Sequence, residues 1–210
     1  MMLTIDLYSD VVCPWCWIGK RRLERVLAEF PTVTTAITWR PYQLRPDMPA
    51  GGEDWQQVIA TKFGGAERAG AMFERVAEAG REEGITFAFD RITRAPNTLD
   101  AHRVLQLADA EGRSWPLAEV LYQAYFTDGQ DISDRALIET LAVAVGCDGA
   151  AIRALLAGAA GIDAVHASQQ EAAALGVTGV PFTVLDGRLA ISGAQPDTLY
   201  RRAIAQALEA

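Results

Sequence analysis

The chain has 210 residues, of which half are hydrophobic and 22% are charged, and its formal net charge at pH 7 is −8. This composition is typical of a globular protein with ample apolar material for a core. The negative net charge argues against nucleic acid as a partner, because phosphate backbones are bound by clustered Lys and Arg. No apolar run approaches the roughly 20 residues that a transmembrane helix needs, so we expect no membrane-spanning segment.

The amino terminus and the cysteine content indicate the compartment. The chain begins Met-Met-Leu-Thr-Ile-Asp, which lacks the basic segment and the long apolar core of a signal peptide. Three cysteines are too few for a disulfide framework. We therefore expect a cytoplasmic protein, in which two closely spaced cysteines are either redox-active or metal-binding.

The first 40 residues have the pattern of a strand, a helix and a second strand. Residues 3–8 form a short β-prone run. Apolar residues then recur at helical spacing from Leu23 to Phe30, and Pro31 ends the predicted helix. Residues 32–40 are rich in Thr, Val and Ile, which favour a strand. This order predicts a βαβ unit with parallel strands and a right-handed crossover.

The middle of the chain is predicted to be helical. Residues 41–53 form a loop rich in proline and glycine. From residue 54 to about residue 176 apolar residues recur almost throughout at helical spacing. We expect helices around residues 69–79, 97–111, 115–127, 137–145, 148–157 and 162–175, with Ser133 as the cap of the fourth.

Strand character returns near the end of the chain. Two β-prone runs, residues 180–185 and 188–191, flank Asp186-Gly187, which is a strong hairpin signal. Pro196 then opens a last helix, because proline suits the start of a helix. The carboxy-terminal part is therefore predicted to be β-β-α.

Together these segments predict an α/β protein with a thioredoxin fold, in which βαβ and ββα halves build a four-stranded mixed sheet. A structureless connection of more than a hundred residues is disfavoured, so the middle of the chain is expected to be a large all-helical insertion. We therefore expect a thioredoxin-like domain in two halves, residues 1–40 and 177–210. Residues 41–176 would form the loop and the helical insertion between them.

The motif Cys13-Pro14-Trp15-Cys16 lies where the first strand gives way to the first helix. Positions i and i+3 share one face at a helix start, so the two sulfurs can form a disulfide or separate as a dithiol. Unpaired backbone N–H groups and the helix dipole favour a thiolate there. We expect Cys13 to be a partly exposed nucleophile and Cys16 to be the more buried, resolving thiol.

Zinc binding is the alternative for such a pair. A zinc ion needs about four ligands, and Cys147, His102 and His166 are the softer candidates left in the chain. None of them is paired at ligand spacing, so we expect no metal site. Cys147 itself is expected to be a partly buried free cysteine at a helix end, with a regulatory thiol as the open alternative.

Several runs of the sequence resemble a known family. The cysteine motif, Gly179-Val-Pro181 and the helical insertion resemble the DsbA-type thioredoxin-fold oxidoreductases. The longer runs 9–22, 97–103 and 192–196 are similar to the FrnE-like branch, which is related to 2-hydroxychromene-2-carboxylate isomerases and kappa-class glutathione transferases. The resemblance covers nearly the whole chain and implies no tightly bound cofactor.

The resemblance also implies roles around the cysteine pair. Pro181 would follow a cis peptide bond and lie against the cysteines, and Val180 would offer its backbone to an extended substrate. Trp15 would contact the substrate. Because strongly oxidising relatives carry a histidine in place of Trp15, we expect a milder oxidant.

Asn97, His102 and Arg103 open the helix that is predicted to begin near residue 97. Asn97 is a good helix cap, and His102 and Arg103 would then belong to a solvated face. The alternative is that these three residues line the cleft and bind the substrate or a thiol cofactor.

The sequence therefore predicts a thiol–disulfide oxidoreductase that acts on a protein or small-molecule thiol or disulfide. Glutathione, another thiol or a redox protein would be its electron partner, and it would be a monomer or a homodimer. One alternative is a glutathione-dependent isomerase or transferase acting on a small aromatic or polyketide-like molecule, although relatives of that type carry serine in place of Cys13. Another is a binding or chaperone-like module without catalysis.

Overall fold

The fold is described by a computed structural model that covers residues 2–209. The strands are β1 (Met2–Ser9), β2 (Thr34–Pro41), β3 (Glu53–Asp54), β4 (Arg94–Ala95), β5 (Phe182–Leu185) and β6 (Leu189–Ser192). At the centre is a four-stranded mixed sheet in the order β2-β1-β5-β6. β1 pairs in parallel with β2 and antiparallel with β5, which pairs antiparallel with β6. The predicted thioredoxin fold is confirmed.

The helices include those that were predicted, in the same order, together with one at Trp55–Lys62 that was not singled out and a 3-10 turn at Phe89–Arg91. They are α1 (Pro14–Leu27), α2 (Trp55–Lys62), α3 (Ala66–Glu82), α4 (Leu99–Ala110), α5 (Ser114–Phe126), α6 (Arg135–Ala144), α7 (Gly149–Ala157), α8 (Ile162–Ala174) and α9 (Asp197–Leu208). Within residues 2–209 no single helix has the length and apolarity to cross a membrane. α7 and α8 meet those two criteria only as a pair, bent by 82° at its break.

Three local predictions were wrong. The insertion is not all-helical, because β3 and β4 form an antiparallel ladder; two residues per strand are too few to give an alternating pattern. α1 ends at Leu27, so Phe30 lies beyond it. The cap of α6 is Asp134, whose carboxylate accepts the N–H of Ala136 at 2.8 Å, because Ser133 instead donates its hydroxyl proton to Asp131.

One apolar core joins the sheet to the insertion. Leu7 and Trp17, from β1 and α1, belong to the same buried cluster as Leu105 and Leu121 from α4 and α5. A second cluster, which includes Leu3 and residues of α9, covers another part of the sheet. Because the larger cluster crosses from one predicted unit to the other, the two share a core. The boundaries of those units stay a prediction.

Gly19, in the middle of α1, lets that helix approach the start of β5. The Val180–Pro181 peptide bond is cis, as the family resemblance implies. A Cβ atom on Gly19 would lie 3.0 Å from Cγ of Pro181 and 3.5 Å from the hydroxyl of Tyr200. Glycine is unfavourable inside a helix, so its presence here is explained by this close approach.

Two glycine substitutions separate the intrinsic helix effect from the packing effect. Gly70 in α3 is exposed and a Cβ there would meet nothing within 4 Å, so Gly70→Ala should raise the free energy of unfolding by about 0.5–1 kcal/mol. Gly19→Ala gains the same helix propensity but overpacks the contact with Pro181, so it should lower that free energy by about 1–2 kcal/mol. Urea unfolding of both variants measures the difference. Equal stabilisation by the two substitutions would contradict the proposed role of Gly19.

Candidate active site

Cys13 lies at the amino-terminal cap of α1, with an extended backbone (φ −100°, ψ 110°). Its N–H donates to the carbonyl oxygen of Asp10, and its own carbonyl oxygen accepts the N–H of Cys16, both at 3.0 Å. The first turn of the helix contains no acidic residue. Both cysteines are therefore held at the positive end of the helix dipole, where an anionic sulfur is stabilised.

Both thiols are buried. Cys13 is 5% exposed and Cys16 is 0% exposed, so the expectation of a partly exposed Cys13 was wrong. The reason is that residues of the insertion, together with Trp15 and Val180, enclose the start of α1. Cys13 therefore lines a cavity and not the outer surface.

The pKa of the Cys16 thiol lies well above its ordinary value. Burial raises it most, and the hydrogen bond and the charge interaction with Cys13 raise it further. The hydroxyl of Ser9 and the backbone of Asp10 lower it only in part. At neutral pH Cys16 is therefore protonated while Cys13 is free.

The cis peptide segment contacts Cys13 directly. The Sγ atom of Cys13 donates to the carbonyl oxygen of Val180 at 3.4 Å. The segment is fixed from its other side, because the carbonyl oxygen of Pro181 accepts the N–H of Gly193 at 2.8 Å and Phe182 pairs with Tyr8 in the sheet. The position of Val180 relative to the thiol is thus set by backbone pairing.

A packed aromatic layer lies near the cysteine pair. The hydroxyls of Ser9 and Tyr122, both buried, are hydrogen-bonded at 2.7 Å, and the ring of Tyr122 stacks on Trp17 with centroids 5.8 Å apart. Burial, with a contribution from Cys16, raises the pKa of Tyr122 well above its ordinary value. Tyr122 is therefore a neutral hydroxyl in the folded protein.

Asp10, His102 and Trp39 form a buried hydrogen-bonded chain. The indole Nε1 of Trp39 donates to Nδ1 of His102 at 3.3 Å, and Nε2 of His102 lies 3.2 Å from Oδ1 of Asp10. An indole nitrogen is a donor only, so Nδ1 of His102 must carry a lone pair. The histidine is then the tautomer that donates from Nε2, and Oδ1 of Asp10 accepts that hydrogen bond.

The buried charge on α1 is neutralised by α5. Lys20 is only 2% exposed, so its ammonium group is not solvated on the helix surface. Its Nζ lies 2.8 Å from Oε2 of Glu119. Burial raises the pKa of Glu119, but Lys20, the indole N–H of Trp17 and Arg21 together outweigh it, and the net pKa is lowered. Lys20 and Glu119 therefore form an ion pair that ties the two helices together.

A cavity of about 330 Å³ opens beside Cys13, Trp15 and Val180. Its walls come from α2, α3 and the end of α5, and from the loops that face them. Most of the lining is apolar, and Asp10, Arg45 and Lys62 are its charged residues. The aromatic lining residues, besides Trp15, are Trp55, Phe63, Phe73, Phe89, Tyr125 and Phe126.

Asn97 is engaged at the start of α4. Its Oδ1 accepts the N–H of Leu99 at 2.8 Å and its Nδ2 donates to the carbonyl oxygen of Met48 at 2.6 Å. Asn97 thus satisfies a helix N–H group, although the cap residue itself is Thr98. It does not line the cavity beside Cys13, whereas its neighbour Thr98 does.

His102 and Arg103 are not on a solvated face: they are 0% and 1% exposed. α4 packs against neighbouring helices and β2, so its polar residues at these positions turn inward and need internal partners. Arg103 donates to the carbonyl oxygens of Gly158 and Ala160, both at 2.7 Å, and pairs with Asp100. Neither His102 nor Arg103 lines the cavity beside Cys13.

Ser9, Asp10, Trp39 and Tyr122 belong to the site, although no role was expected for them from the sequence. Ser9, the last residue of β1, and Asp10 open the run 9–22 that resembles the family, and this is the signal that could have pointed to them. Trp39 and Tyr122 come from other elements and carry no such signal. Within residues 2–209, no group of three or more His, Cys, Asp and Glu side chains is placed to hold a metal ion.

Cys147 lies just past the end of α6, where its N–H donates to the carbonyl oxygen of Ala142 at 3.0 Å. It is 8% exposed. Burial raises its thiol pKa, Glu111 raises it further, and Arg113 partly offsets both. A thiol with a raised pKa is a weak nucleophile at neutral pH.

The fold and the cysteine pair beside a cis proline define the class: a thioredoxin-fold protein with a helical insertion. Residues 4–205 match the family described as DSBA-like thioredoxin domain, and the chain belongs to that family. This family of thiol oxidoreductases is the one that the motifs resembled, so the resemblance is confirmed.

Solved structures agree with this assignment. A probable DsbA oxidoreductase from Streptomyces coelicolor is 34% identical, with a TM-score of 0.88 over 99% of this chain and 90% of that chain. The cytosolic disulfide reductase DsbM from Pseudomonas aeruginosa, in a structure with glutathione, is 19% identical (TM-score 0.68, 99% and 100% covered). A 2-hydroxychromene-2-carboxylate isomerase is 16% identical (TM-score 0.70, 98% and 95% covered). These last two share the fold of this chain.

The tautomer of His102 can be measured by ¹⁵N NMR of the imidazole nitrogens. Because the indole of Trp39 can only donate, we expect Nδ1 of His102 to have the shift of an unprotonated nitrogen at neutral pH and Nε2 that of a protonated one. His166, the other histidine, is exposed on α8, so its ¹⁵N shifts serve as the reference for an imidazole in contact with solvent. An Nδ1-protonated His102 would contradict the hydrogen-bonded chain to Asp10.

Proposed function

We propose that the protein is a thiol–disulfide oxidoreductase that works through Cys13 and Cys16. The observation that carries this proposal is the position of the two free thiols. They lie one helical turn apart at the positive end of α1, and Cys13 Sγ is 3.4 Å from the carbonyl oxygen that precedes cis Pro181. Such a pair can pass between dithiol and disulfide with little movement of the backbone.

In the first step the thiolate of Cys13 attacks one sulfur of a substrate disulfide R–S–S–R. A bond forms between Cys13 and that sulfur, the substrate S–S bond breaks, and one thiolate RS⁻ leaves. The amino-terminal end of α1 stabilises the attacking thiolate. The product is a mixed disulfide on Cys13.

In the second step Cys16 resolves the mixed disulfide. Two of the three causes that raise its pKa come from the free Cys13, and both disappear once Cys13 is bonded to the substrate. Cys16 then gives up its proton more easily, and its thiolate attacks the sulfur of Cys13. The Cys13–Cys16 disulfide forms and the second RS⁻ leaves, so one substrate disulfide becomes two thiols while two protein thiols are oxidised. With a dithiol substrate the same steps run in reverse.

The partners follow from the same chemistry. We propose that Trp15 and the backbone of Val180, which line the cavity with Cys13, contact the substrate, whereas Asn97, His102 and Arg103 act by holding protein segments in place. Glutathione or another thiol would return the pair to the dithiol state. The likeness in fold to a cytosolic disulfide reductase solved with glutathione supports this choice and a cytoplasmic location.

Trp15 should make the pair a milder oxidant than relatives with histidine in its place. A histidinium beside Cys13 would stabilise the thiolate and so the reduced form, whereas an indole has no charge to contribute. We expect a reduction potential more negative than about −120 mV, the value of DsbA, and an upward shift in Trp15→His. A value at or above that of DsbA in the unmodified protein would contradict this proposal.

Trapping the mixed disulfide tests the proposed function. We expect Cys16→Ser to accumulate a covalent adduct with a disulfide substrate on Cys13, visible by intact-protein mass spectrometry, because nothing resolves it. Cys13→Ser should form no adduct and lose disulfide reduction by at least a hundredfold. Cys147→Ser, which alters a thiol away from the site, is the matched control and should retain activity. Undiminished activity of Cys13→Ser would refute the proposal.

A further inference from the structure

We propose that the cavity beside Cys13 selects low-molecular-weight disulfides that carry uncharged aromatic groups. This inference rests on the proposed function and narrows its substrate class. Four features of the molecule support it: the access to Cys13, the size of the cavity, the chemistry of its walls and the apolar side chains around its opening.

Access to Cys13 is through the cavity. The residue is 5% exposed and its side chain belongs to the cavity wall. Attack on a disulfide requires the sulfur of Cys13 to meet the substrate sulfur directly. A disulfide held flat on the surface of a folded protein is too broad to enter, so the reacting sulfur has to arrive on a small or narrow group.

The size of the cavity fits such a group. An engineered apolar cavity of about 150 Å³ in another protein takes up one benzene molecule. The cavity here, at about 330 Å³, is roughly twice as large. It has room for a disulfide with two aromatic rings, and its volume lies at the small end of the range for ligand sites.

The walls of the cavity favour aromatic groups. Trp55 stacks on Phe73 with ring centroids 5.7 Å apart, and Phe73 stacks on Phe89 at 4.4 Å, so ring faces and edges form a continuous surface. Aromatic rings pair favourably with such surfaces beyond their simple burial. A substrate with several charges would have to lose their hydration against these walls, which is costly without partners.

Two of the three charged groups of the lining, Arg45 and Asp10, have partners, whereas Lys62 is exposed and its Nζ lies 5.9 Å from the centroid of the Phe63 ring. Arg45 is 2.7 Å from the carboxylate of Glu53. The carboxylate of Asp10 accepts the N–H of Leu44 at 2.8 Å as well as the Nε2–H of His102. These pairings leave Arg45 and Asp10 with less capacity to form ion pairs or hydrogen bonds with a charged ligand.

Apart from Lys62, the exposed residues that line the cavity are mostly apolar. Trp15, Leu44 and Met72 line the cavity and are 37–40% exposed. They are three of the six large hydrophobic side chains that are exposed within residues 2–209. Exposed apolar side chains gathered around a concave site indicate binding of an apolar partner.

The proposed reaction is the oxidation of the Cys13–Cys16 dithiol by such a disulfide. The dithiol and the substrate disulfide give the Cys13–Cys16 disulfide and two aromatic thiols, and the two cysteine protons end on the two product thiols. A thiol such as glutathione then reduces the protein disulfide again. The aromatic groups enter the cavity in the first step, when the mixed disulfide forms.

The test compares two disulfides with alkyl thiol leaving groups, dibenzyl disulfide and bis(2-hydroxyethyl) disulfide. The rate of dithiol oxidation is measured for each by stopped flow and divided by its rate with free dithiothreitol, which removes intrinsic reactivity. We expect the normalised rate for dibenzyl disulfide to be about tenfold to a hundredfold higher, as burial of a phenyl group implies. A ratio below threefold would overturn the inference while leaving the proposed function intact. No oxidation by either disulfide would instead refute the proposed function.

Cavity-filling substitutions test whether the cavity is the source of the preference. Val58 lines the cavity from α2, so Val58→Phe should lower the ratio of the two normalised rates at least fivefold. Val143→Phe makes the same change at an exposed position on α6 that does not line the cavity, and should leave the ratio unchanged. If Val58→Phe does not fold by circular dichroism, Met72→Lys at the exposed opening replaces it and should also lower the ratio. An unchanged ratio in the folded cavity variant would overturn the inference.

Discussion

The antiparallel pairing of β1 with β5 is the constraint on which the site depends. Cys13 follows β1 and Val180 precedes β5, so this pairing brings together two groups that are 167 residues apart in the chain. Gly19 then admits the ring of Pro181 against α1. The thiol, the helix terminus and the cis proline are therefore positioned by the backbone of the sheet and of one helix, which are the stiffest parts of a fold.

Around this frame several charged groups have internal partners. Lys20 is paired with Glu119, and the carboxylate of Asp10 accepts hydrogen bonds from His102 and from the backbone N–H of Leu44. In a site of low polarity, the end of the α1 dipole acts on the Cys13 sulfur with little screening. The protonation of Cys16 then follows the bonding state of Cys13, because most of what opposes its ionisation, apart from burial, comes from Cys13 itself.

Local sequence patterns were sufficient to predict the strands of the sheet, the hairpin at Asp186-Gly187 and the position of the cysteine motif, because each is encoded by residues close together in the chain. They were not sufficient for the burial of Cys13, which depends on how α2, α3 and α5 pack over the end of the sheet. The inward position of His102 and Arg103 was also missed, since α4 is enclosed on several sides and its burial has no single apolar stripe. The Asp10–His102–Trp39 chain joins residues 63 and 92 positions apart, a separation at which periodicity carries no information.

Cys13 and Cys16 are proposed to form one two-electron couple inside the apolar site. The most direct measurement is a titration of the protein in glutathione redox buffers, with the oxidised species identified by peptide mass spectrometry. We expect a single transition from the dithiol to a Cys13–Cys16 disulfide, with Cys147 remaining a thiol throughout. A stable glutathione adduct on Cys13 that never converts to the Cys13–Cys16 disulfide would contradict the account.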